Sequence, residues 1–144
     1  MYELVYCSKA SPDLTHEDIL SILETAKKFN SENNITGCLL YYNQEFAQIL
    51  EGERDVVMSL YEKIKKDKRH TFVVLLGTGN KPNRHFADWS MAYKDLDNEV
   101  ETTLKSDFMK NIECFSDYSN NPSHVTAMFH DVSKLIVEDG LDRR

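Results

Sequence analysis

The side chains most able to do chemistry in this 144-residue chain are three polar residues in segments that otherwise look apolar. One is Gln48, which the period of two in a predicted strand puts on the same face as Phe46 and Leu50. An amide both donates and accepts hydrogen bonds, and burying it without partners costs about 1–3 kcal/mol. From the residues alone, Gln48 is equally compatible with a satisfied polar network in the core and with a ligand contact.

Tyr6 and Asn30 are the other two polar residues. Tyr6 lies centrally in the predicted first strand, over residues 2–8. Asn30 lies at the end of the predicted first helix, on the same side as Ile22 and Ala26. Because Asn is common where helices end, the sequence favours a helix-terminal role for Asn30 over a ligand contact.

The other reactive residue types form no catalytic or metal-binding pattern. The sequence contains no GxSxG, HExxH or CxxC motif. Residues 77–80, GTGN, lack the spacing of a phosphate-binding loop and predict a turn. The histidines are predicted to be ordinary surface or partly packed residues: His16, His70, His85, His124 and His130. Three widely spaced cysteines predict neither a disulfide framework nor a zinc site: Cys7, Cys38 and Cys114.

The elements that must position these residues follow from hydrophobic periodicity and turn signals. Thr15 and Asp18 form a capping box that opens the first helix. A buried strand over 35–42, a two-residue turn at Asn43-Gln44 and a return strand over 45–50 follow. The second half predicts a helix over about 53–67, a strand over 71–76 and a short fifth strand over 88–93.

This order, β-α-β-β-α-β-β, predicts an α+β, ferredoxin-like sheet of five strands with two helices on one face. The basic run over 63–69 is interpreted as complementing the dipole at the end of the second helix.

We expect a domain over residues 1–96 and a helical extension over 97–144. Apolar stripes predict helices over 100–112 and 123–138 in that extension. Packing on the sheet face that the first two helices leave uncovered is the simplest way to bury these stripes.

Composition narrows the class of partner and the compartment. With 17 Lys and Arg against 24 Asp and Glu, the net charge of −7 disfavours direct binding to nucleic acid or to an anionic membrane. No apolar run approaches the roughly 18 residues typical of a spanning helix, and the N-terminus does not resemble a secretory signal. The sequence therefore predicts a cytoplasmic protein.

Three stretches of the sequence form one long pattern: NSENNITG over 30–37, LLYYNQEFAQILEGE over 39–53 and RHFADWSMAY over 84–93. This pattern resembles the BLUF family, the blue-light sensors that use FAD. The resemblance runs from Tyr2 to about Tyr93, and the predicted order of elements agrees with the family fold.

The resemblance implies that the flavin ring of FAD lies between the two helices. It implies two photochemical residues, the redox-active tyrosine and the glutamine that bridges it to the flavin, at Tyr6 and Gln48. It implies further cofactor contacts at Ile22, Asn30, Phe46, Lys63, Ile64 and Asp67. Trp89 and Met91 match the two fifth-strand residues that relay the signal.

The function implied is that of a photoreceptor without enzymatic activity, driven by proton-coupled electron transfer from Tyr6 through Gln48. The residues that follow the sheet are too few for a cyclase or phosphodiesterase domain. The resemblance therefore implies that the signal passes to a protein partner, for which a transcriptional regulator is one candidate. It also implies that the protein is a homo-oligomer. Two alternatives stay open. One is a light-insensitive interaction scaffold, and the other is a small hydrolase of the acylphosphatase type.

Overall fold

A computed structural model of the protein describes residues 1–95. The predicted helices over 100–112 and 123–138 lie outside the described residues. The elements in chain order are β1 (Tyr2–Ala10), α1 (His16–Glu32), β2 (Thr36–Tyr42), β3 (Glu45–Gly52), α2 (Arg54–Lys65), β4 (His70–Asn80) and β5 (Ala92–Asp95).

The five strands form one mixed sheet in the order β4-β1-β3-β2-β5. Strand β1 pairs antiparallel with both β3 and β4, and β2 pairs antiparallel with β3. Strand β5 runs parallel to β2 at the edge. The predicted ferredoxin-like α+β sheet with one added strand is therefore confirmed.

Local signals at both ends of α1 explain its limits. The backbone N–H of Asp18 donates to Thr15 Oγ1 over 3.1 Å, and the N–H of Thr15 donates to Asp18 Oδ2 over 2.9 Å, which completes the predicted capping box. At the other end Asn33 is the cap and Asn34 has a positive φ of 57°. Neither helix within residues 1–95 is long and apolar enough to cross a membrane.

The hairpin between β2 and β3 is the predicted two-residue turn. Asn43 and Gln44 have φ values of 48° and 63°, the pair of left-handed conformations that a type I′ turn requires. This turn fixes the register in which Tyr42 pairs with Glu45 and Leu39 pairs with Gln48.

Both helices pack on one face of the sheet, which we call the inner face. Its core combines apolar residues of the strands with apolar residues of the helices: Leu4, Leu39, Leu50, Ile19, Leu23, Val57 and Tyr61. The opposite, outer face carries a second set of buried apolar side chains: Val5, Cys7, Cys38, Leu40, Ala47 and Ile49. Neither α1 nor α2 packs on this outer face.

Two predictions about the second half of the sheet are wrong. Residues 77–80 do not form a turn, because they continue β4 and pair with residues 2–5 of β1. The fifth strand begins at Ala92 rather than at residue 88. The chain turns just before it, where the N–H of Trp89 donates to the carbonyl of Phe86 over 2.9 Å. Trp89 and Met91 therefore precede β5 instead of lying within it.

Gly37 is required where β2 passes β3. A Cβ atom at this position would overlap the carbonyl oxygen of Ile49, a backbone atom that can move only if the two strands separate. At Gly79 in β4, a Cβ atom would meet nothing within 4 Å.

We expect Gly37→Ala to lower the free energy of unfolding by more than about 2 kcal/mol, because overpacking against backbone forces the sheet apart. Gly79→Ala is the matched control, and its effect should stay within about 0.5 kcal/mol. Chemical denaturation of both variants beside the wild type measures the difference. Equal stabilities of the two variants would show that β2 and β3 are not in close contact at Gly37.

Candidate functional site

A cavity of about 260 Å³ lies between α1, α2 and the inner face of the sheet. Its floor comes from β1, β2 and β3, and its walls come from the two helices and the turn after α2. The residues that line it are Tyr6, Ile22, Thr25, Ala26, Phe29, Asn30, Leu39, Phe46, Gln48, Leu60, Lys63, Ile64, Asp67, Arg69 and His70.

Tyr6 and Gln48 meet on the floor of this cavity. The two residues are direct partners in the β1–β3 ladder, so their side chains leave the sheet side by side on the same face. The Tyr6 hydroxyl donates a short hydrogen bond to Gln48 Oε1. Both side chains are buried, with 3% and 6% of their surface exposed. The bond therefore lies in a low dielectric, where its electrostatic energy is greater than in water.

The surroundings of Tyr6 keep its hydroxyl protonated. Burial raises the pKa of Tyr6 well above its ordinary value, and the nearby Tyr61 and Asp67 raise it further. The rings of Tyr6 and Tyr61 are 5.7 Å apart between centroids. Because the phenolate is so disfavoured, the hydroxyl keeps its proton at neutral pH and is the donor of the hydrogen bond to Gln48.

His70 also contacts Tyr6. The two rings meet edge to face with centroids 6.3 Å apart. His70 Nε2 lies 2.6 Å from the carbonyl oxygen of Ile64, so this nitrogen carries a proton and donates it. In the neutral ring Nδ1 then accepts from the Ser8 hydroxyl, 2.9 Å away. The spacing of the histidines in the sequence gave no signal of this contact.

The amide nitrogen of Gln48 has a weak partner. Gln48 Nε2 donates to Met91 Sδ over 3.4 Å, and a thioether sulfur is a weak acceptor. Since an amide nitrogen carries two protons, Gln48 retains donor capacity toward the cavity that it lines. The amide is thus held by Tyr6 on one side and only loosely by Met91 on the other.

Asn30 does not act as the helix-terminal residue that the sequence favours. The side chain is 1% exposed, and its Nδ2 donates to the carbonyl of Ser90 over 2.7 Å. Its Oδ1 is buried without a partner among residues 1–95. Asn33 is the cap instead, because α1 continues past Asn30 and leaves its side chain directed into the fold. An unpaired buried acceptor on the cavity wall is suited to a donor from a ligand.

The cavity walls are apolar, and its rim is charged. Phe46 is buried, while Ile22 and Ile64 are half-buried on the two helices. Lys63 Nζ lies over the ring of Phe29, 4.9 Å from its centroid. A flat, apolar ligand with polar atoms on one edge fits such a space.

A charged turn follows α2. Helix α2 ends at Lys65, so Arg69 lies beyond the helix and is not part of its basic end as the sequence suggests. Arg69 Nε donates to both carboxylate oxygens of Asp67, over 3.0 and 3.1 Å. The Arg69 guanidinium holds the pKa of the Asp67 carboxyl below its usual range. Asp67 is expected here only from the family resemblance, and Arg69 is not expected, because a turn after a helix leaves no periodic pattern in the sequence.

The structure places all eight residues predicted to contact the cofactor on this one cavity: Tyr6, Ile22, Asn30, Phe46, Gln48, Lys63, Ile64 and Asp67. Met91 reaches the site through Gln48, and its side chain belongs to the inner core. Trp89 is buried but is not a cavity-lining residue; its carbonyl accepts from the N–H of Gly37 over 3.1 Å. Arg69, His70 and Thr25 are lining residues that sequence analysis missed.

Comparison with known proteins identifies relatives of this arrangement. The family model described as BLUF, sensors of blue-light using FAD, matches residues 1–92. The photoactivated adenylate cyclase subunit beta of Euglena longa is 39% identical over 89 residues, which are 61% of this chain and 10% of that protein. The chain thus spans about a tenth of the length of the curated relatives it matches.

Two solved structures are similar to the whole arrangement of elements. The structure of a bacterial light-regulated adenylyl cyclase is 38% identical, with a TM-score of 0.75, and the match covers 80% of this chain and 34% of that one. The photo-activated state of BlsA is 28% identical, with a TM-score of 0.76, and the match covers 92% of this chain and 94% of that one.

The buried hydrogen bond of Asn30 predicts a specific loss of stability. In Asn30→Ala the carbonyl of Ser90 loses its donor inside the fold, so the free energy of unfolding should fall by about 1–3 kcal/mol. Asn33→Ala is the control, because its Nδ2 bonds the carbonyl of Phe29 over 2.8 Å at a partly exposed helix end, where water can substitute. Denaturation of both proteins measures the two losses. A larger loss in Asn33→Ala than in Asn30→Ala would contradict the assigned role.

Proposed function

This chain belongs to the BLUF family, the sensors of blue light that use FAD, and from that premise we propose that Tyr6 and Gln48 carry out its photochemistry. The observation that supports this proposal is the hydrogen bond from the buried Tyr6 hydroxyl to Gln48 Oε1 on the cavity floor. A redox-active side chain joined directly to an amide is the minimum needed to move an electron and a proton together.

The residues of the cavity suit a flavin ring. Its two faces are apolar, and Ile22 and Ile64 on the facing helices would pack against them. Its polar edge carries both acceptors and an N–H donor. The unpaired Oδ1 of Asn30 would accept from that N–H, and the remaining N–H of Gln48 would donate to an acceptor. The exposed cations Lys63 and Arg69 at the rim would hold the negatively charged side chain of FAD.

FAD, when bound, supplies a ring that absorbs blue light and accepts an electron and a proton once it is excited. Tyr6 gives up the electron, and its hydroxyl proton leaves along the hydrogen bond to Gln48 Oε1. An amide that gains a proton on oxygen can release one from nitrogen, so Gln48 relays the proton and becomes a tautomer. The return of the electron and proton restores Tyr6, and the amide is left rotated or tautomerised.

Rotation of the Gln48 amide changes its partners on both sides. The Tyr6 hydroxyl then faces Nε2 instead of Oε1, and Met91 Sδ faces an oxygen from which it can receive no hydrogen bond. An amide N–H turned toward a ring carbonyl strengthens the hydrogen bond there, which moves the absorption to the red without a covalent bond. Met91 is released, and this release is the signal passed to the residues around β5.

We further propose that residues 97–144 form the output region. The outer face of the sheet carries buried apolar residues such as Val5, Cys38 and Ile49, and neither α1 nor α2 packs on it. Two amphipathic helices over 100–112 and 123–138 would cover this face and receive the movement of β5. The output is then a change in protein contacts, with a partner protein or another copy of the chain, and not an enzymatic reaction.

The photochemistry is tested by absorption spectroscopy of the purified full chain with FAD. Blue light should shift the flavin band of the wild type to the red, and darkness should reverse the shift. Tyr6→Phe and Gln48→Leu should stay yellow and lose the shift, because the first removes the redox hydroxyl and the second removes the relay.

Tyr61→Phe is the matched control, since it removes a hydroxyl from the ring next to Tyr6. This variant should keep the red shift. A normal photocycle in Tyr6→Phe would refute Tyr6 as the donor. A colourless wild-type protein that fails to take up added FAD would refute the function as a whole.

Removal of residues 97–144 tests the output region. The remaining chain should bind FAD and keep its red shift, because it retains Tyr6, Gln48 and the other six residues predicted to contact the cofactor. It should aggregate, because the outer face becomes exposed to water. Light scattering and absorption spectroscopy measure the two properties. A truncated protein as soluble as the full chain would show that the outer face needs no cover from these residues.

A further inference from the structure

A second polar cluster lies outside the cavity, at the end of β3 on the outer face of the sheet. Its centre is Glu51, which is 0% exposed. A buried carboxylate is costly unless it is paired and hydrogen-bonded. The identity of its partners therefore indicates what the residue holds in place.

Donors surround both oxygens of this carboxylate. Oε2 accepts from the Lys81 ammonium and, over 2.7 Å, from the backbone N–H of His85. Oε1 accepts from the backbone N–H of Phe86 over 3.0 Å and from the Thr36 hydroxyl over 2.9 Å. Three of these four donors belong to residues 81–91, which connect β4 to β5 and which we call the connecting segment.

The cluster is an ion pair and not a metal site. Glu3, Glu51 and His85 bring possible ligand atoms close together. However, Lys81 Nζ already contacts all three residues, at 2.8 Å from Glu3 Oε1 and 3.3 Å from His85 Nδ1. Burial alone would raise the pKa of Glu51, but Lys81 and the N–H groups of the connecting segment hold that pKa below its ordinary value. The carboxylate is therefore ionised at neutral pH.

Arg84 strengthens the same attachment from the other side. Its Nη1 donates to the backbone carbonyl of Glu51 over 3.0 Å and to the Thr36 hydroxyl over 2.8 Å. Its Nη2 donates to the carbonyl of Asn34 over 2.7 Å. The first half of the connecting segment is thus bound to the start of β2 and to the end of β3.

The second half of the connecting segment contacts the cavity residues instead. The Ser90 carbonyl accepts from Asn30, and Met91 Sδ accepts from Gln48. Glu51 and Gln48 lie on the same strand, three residues or about 10 Å apart. Strand β3 therefore holds the segment at two points, strongly through a buried charge at Glu51 and weakly through a sulfur at Gln48.

We propose that Glu51 is a positioning residue of the photoresponse, which fixes residues 85 and 86 to β3 so that a change at Gln48 displaces only residues from 90 onward. This inference rests on the proposed function, because it concerns the path of the signal that the Gln48 amide starts. A connecting segment that was not fixed at Glu51 could move as a whole when Met91 is released. A segment fixed at Glu51 must respond at its other end, where β5 begins.

The test is light-minus-dark amide hydrogen exchange on the full chain with FAD, in the wild type, Glu51→Gln and Glu3→Gln. Glu51→Gln keeps the shape of the side chain but loses the charge and puts an NH₂ group where donors now point. In this variant the amides of residues 85 and 86 should exchange about tenfold faster, as expected for loss of a charge-assisted hydrogen bond. Glu3→Gln is the control, since it removes one partner of Lys81 and leaves Glu51 intact.

The decisive readout is where the light-dependent difference falls. In the wild type and Glu3→Gln it should be confined to residues from 90 to the C-terminus, whereas in Glu51→Gln it should spread to 85 and 86. The red shift should persist in all three proteins, and recovery in darkness should change rate only in Glu51→Gln. A purely structural role would speed exchange equally in light and darkness and leave recovery unchanged, which would overturn the inference.

If Glu51→Gln cannot be isolated as a folded protein, Lys81→Gln tests the same inference. This variant weakens the ion pair with Glu51, while the backbone N–H donors of residues 85 and 86 remain. The same spread supports the inference, and a difference still confined to residues from 90 onward overturns it. Absence of a red shift in the wild type would instead refute the proposed function. The two failures are therefore distinguishable.

Discussion

The antiparallel register of β1 and β3 is the constraint on which the site depends. It makes Tyr6 and Gln48 direct partners, so that a phenol and an amide leave the sheet together on the inner face. The type I′ turn at Asn43 and Gln44 fixes the register of β3 against β2. A shift by one residue would turn Gln48 to the outer face and break the pair. Backbone pairing thus determines which face of the sheet these two side chains occupy.

The cavity above this pair is built to be completed by a ligand. Asn30 Oδ1 is buried without a partner within residues 1–95, and the amide nitrogen of Gln48 has only a thioether as its acceptor. Such groups normally find stronger partners inside a protein. Since Asn30 and Gln48 both line the same cavity, a flat ring with a polar edge would satisfy these groups together. In the proposed photochemistry, the weak bond to Met91 also leaves the Gln48 amide able to change its orientation.

The elements and the unusual polar residues of this arrangement could be predicted from the sequence because their signals are local, whereas the cofactor contacts of the two helices, such as Ile22 and Ile64, could be predicted only from the family resemblance. The capping box at Thr15, the turn at Asn43 and the polar residue on an apolar strand face each act over a few positions. The connecting segment could not be predicted, because a side chain about 35 residues away, Glu51, determines its course. The glycine-rich end of β4 could not be predicted for a similar reason. Its strand conformation comes from pairing with β1. The β-propensity of the local sequence does not predict this pairing.

The central claim is that the Gln48 amide changes its hydrogen bonds in light. The chain has only two glutamines, Gln44 in the exposed turn and Gln48 in the site. Light-minus-dark infrared difference spectroscopy on protein labelled with ¹³C at the glutamine side-chain carbonyl therefore reports on this amide. The account predicts a difference band in the amide carbonyl region that moves with the label and is unchanged in Gln44→Asn. A difference spectrum with no label-sensitive band would contradict it.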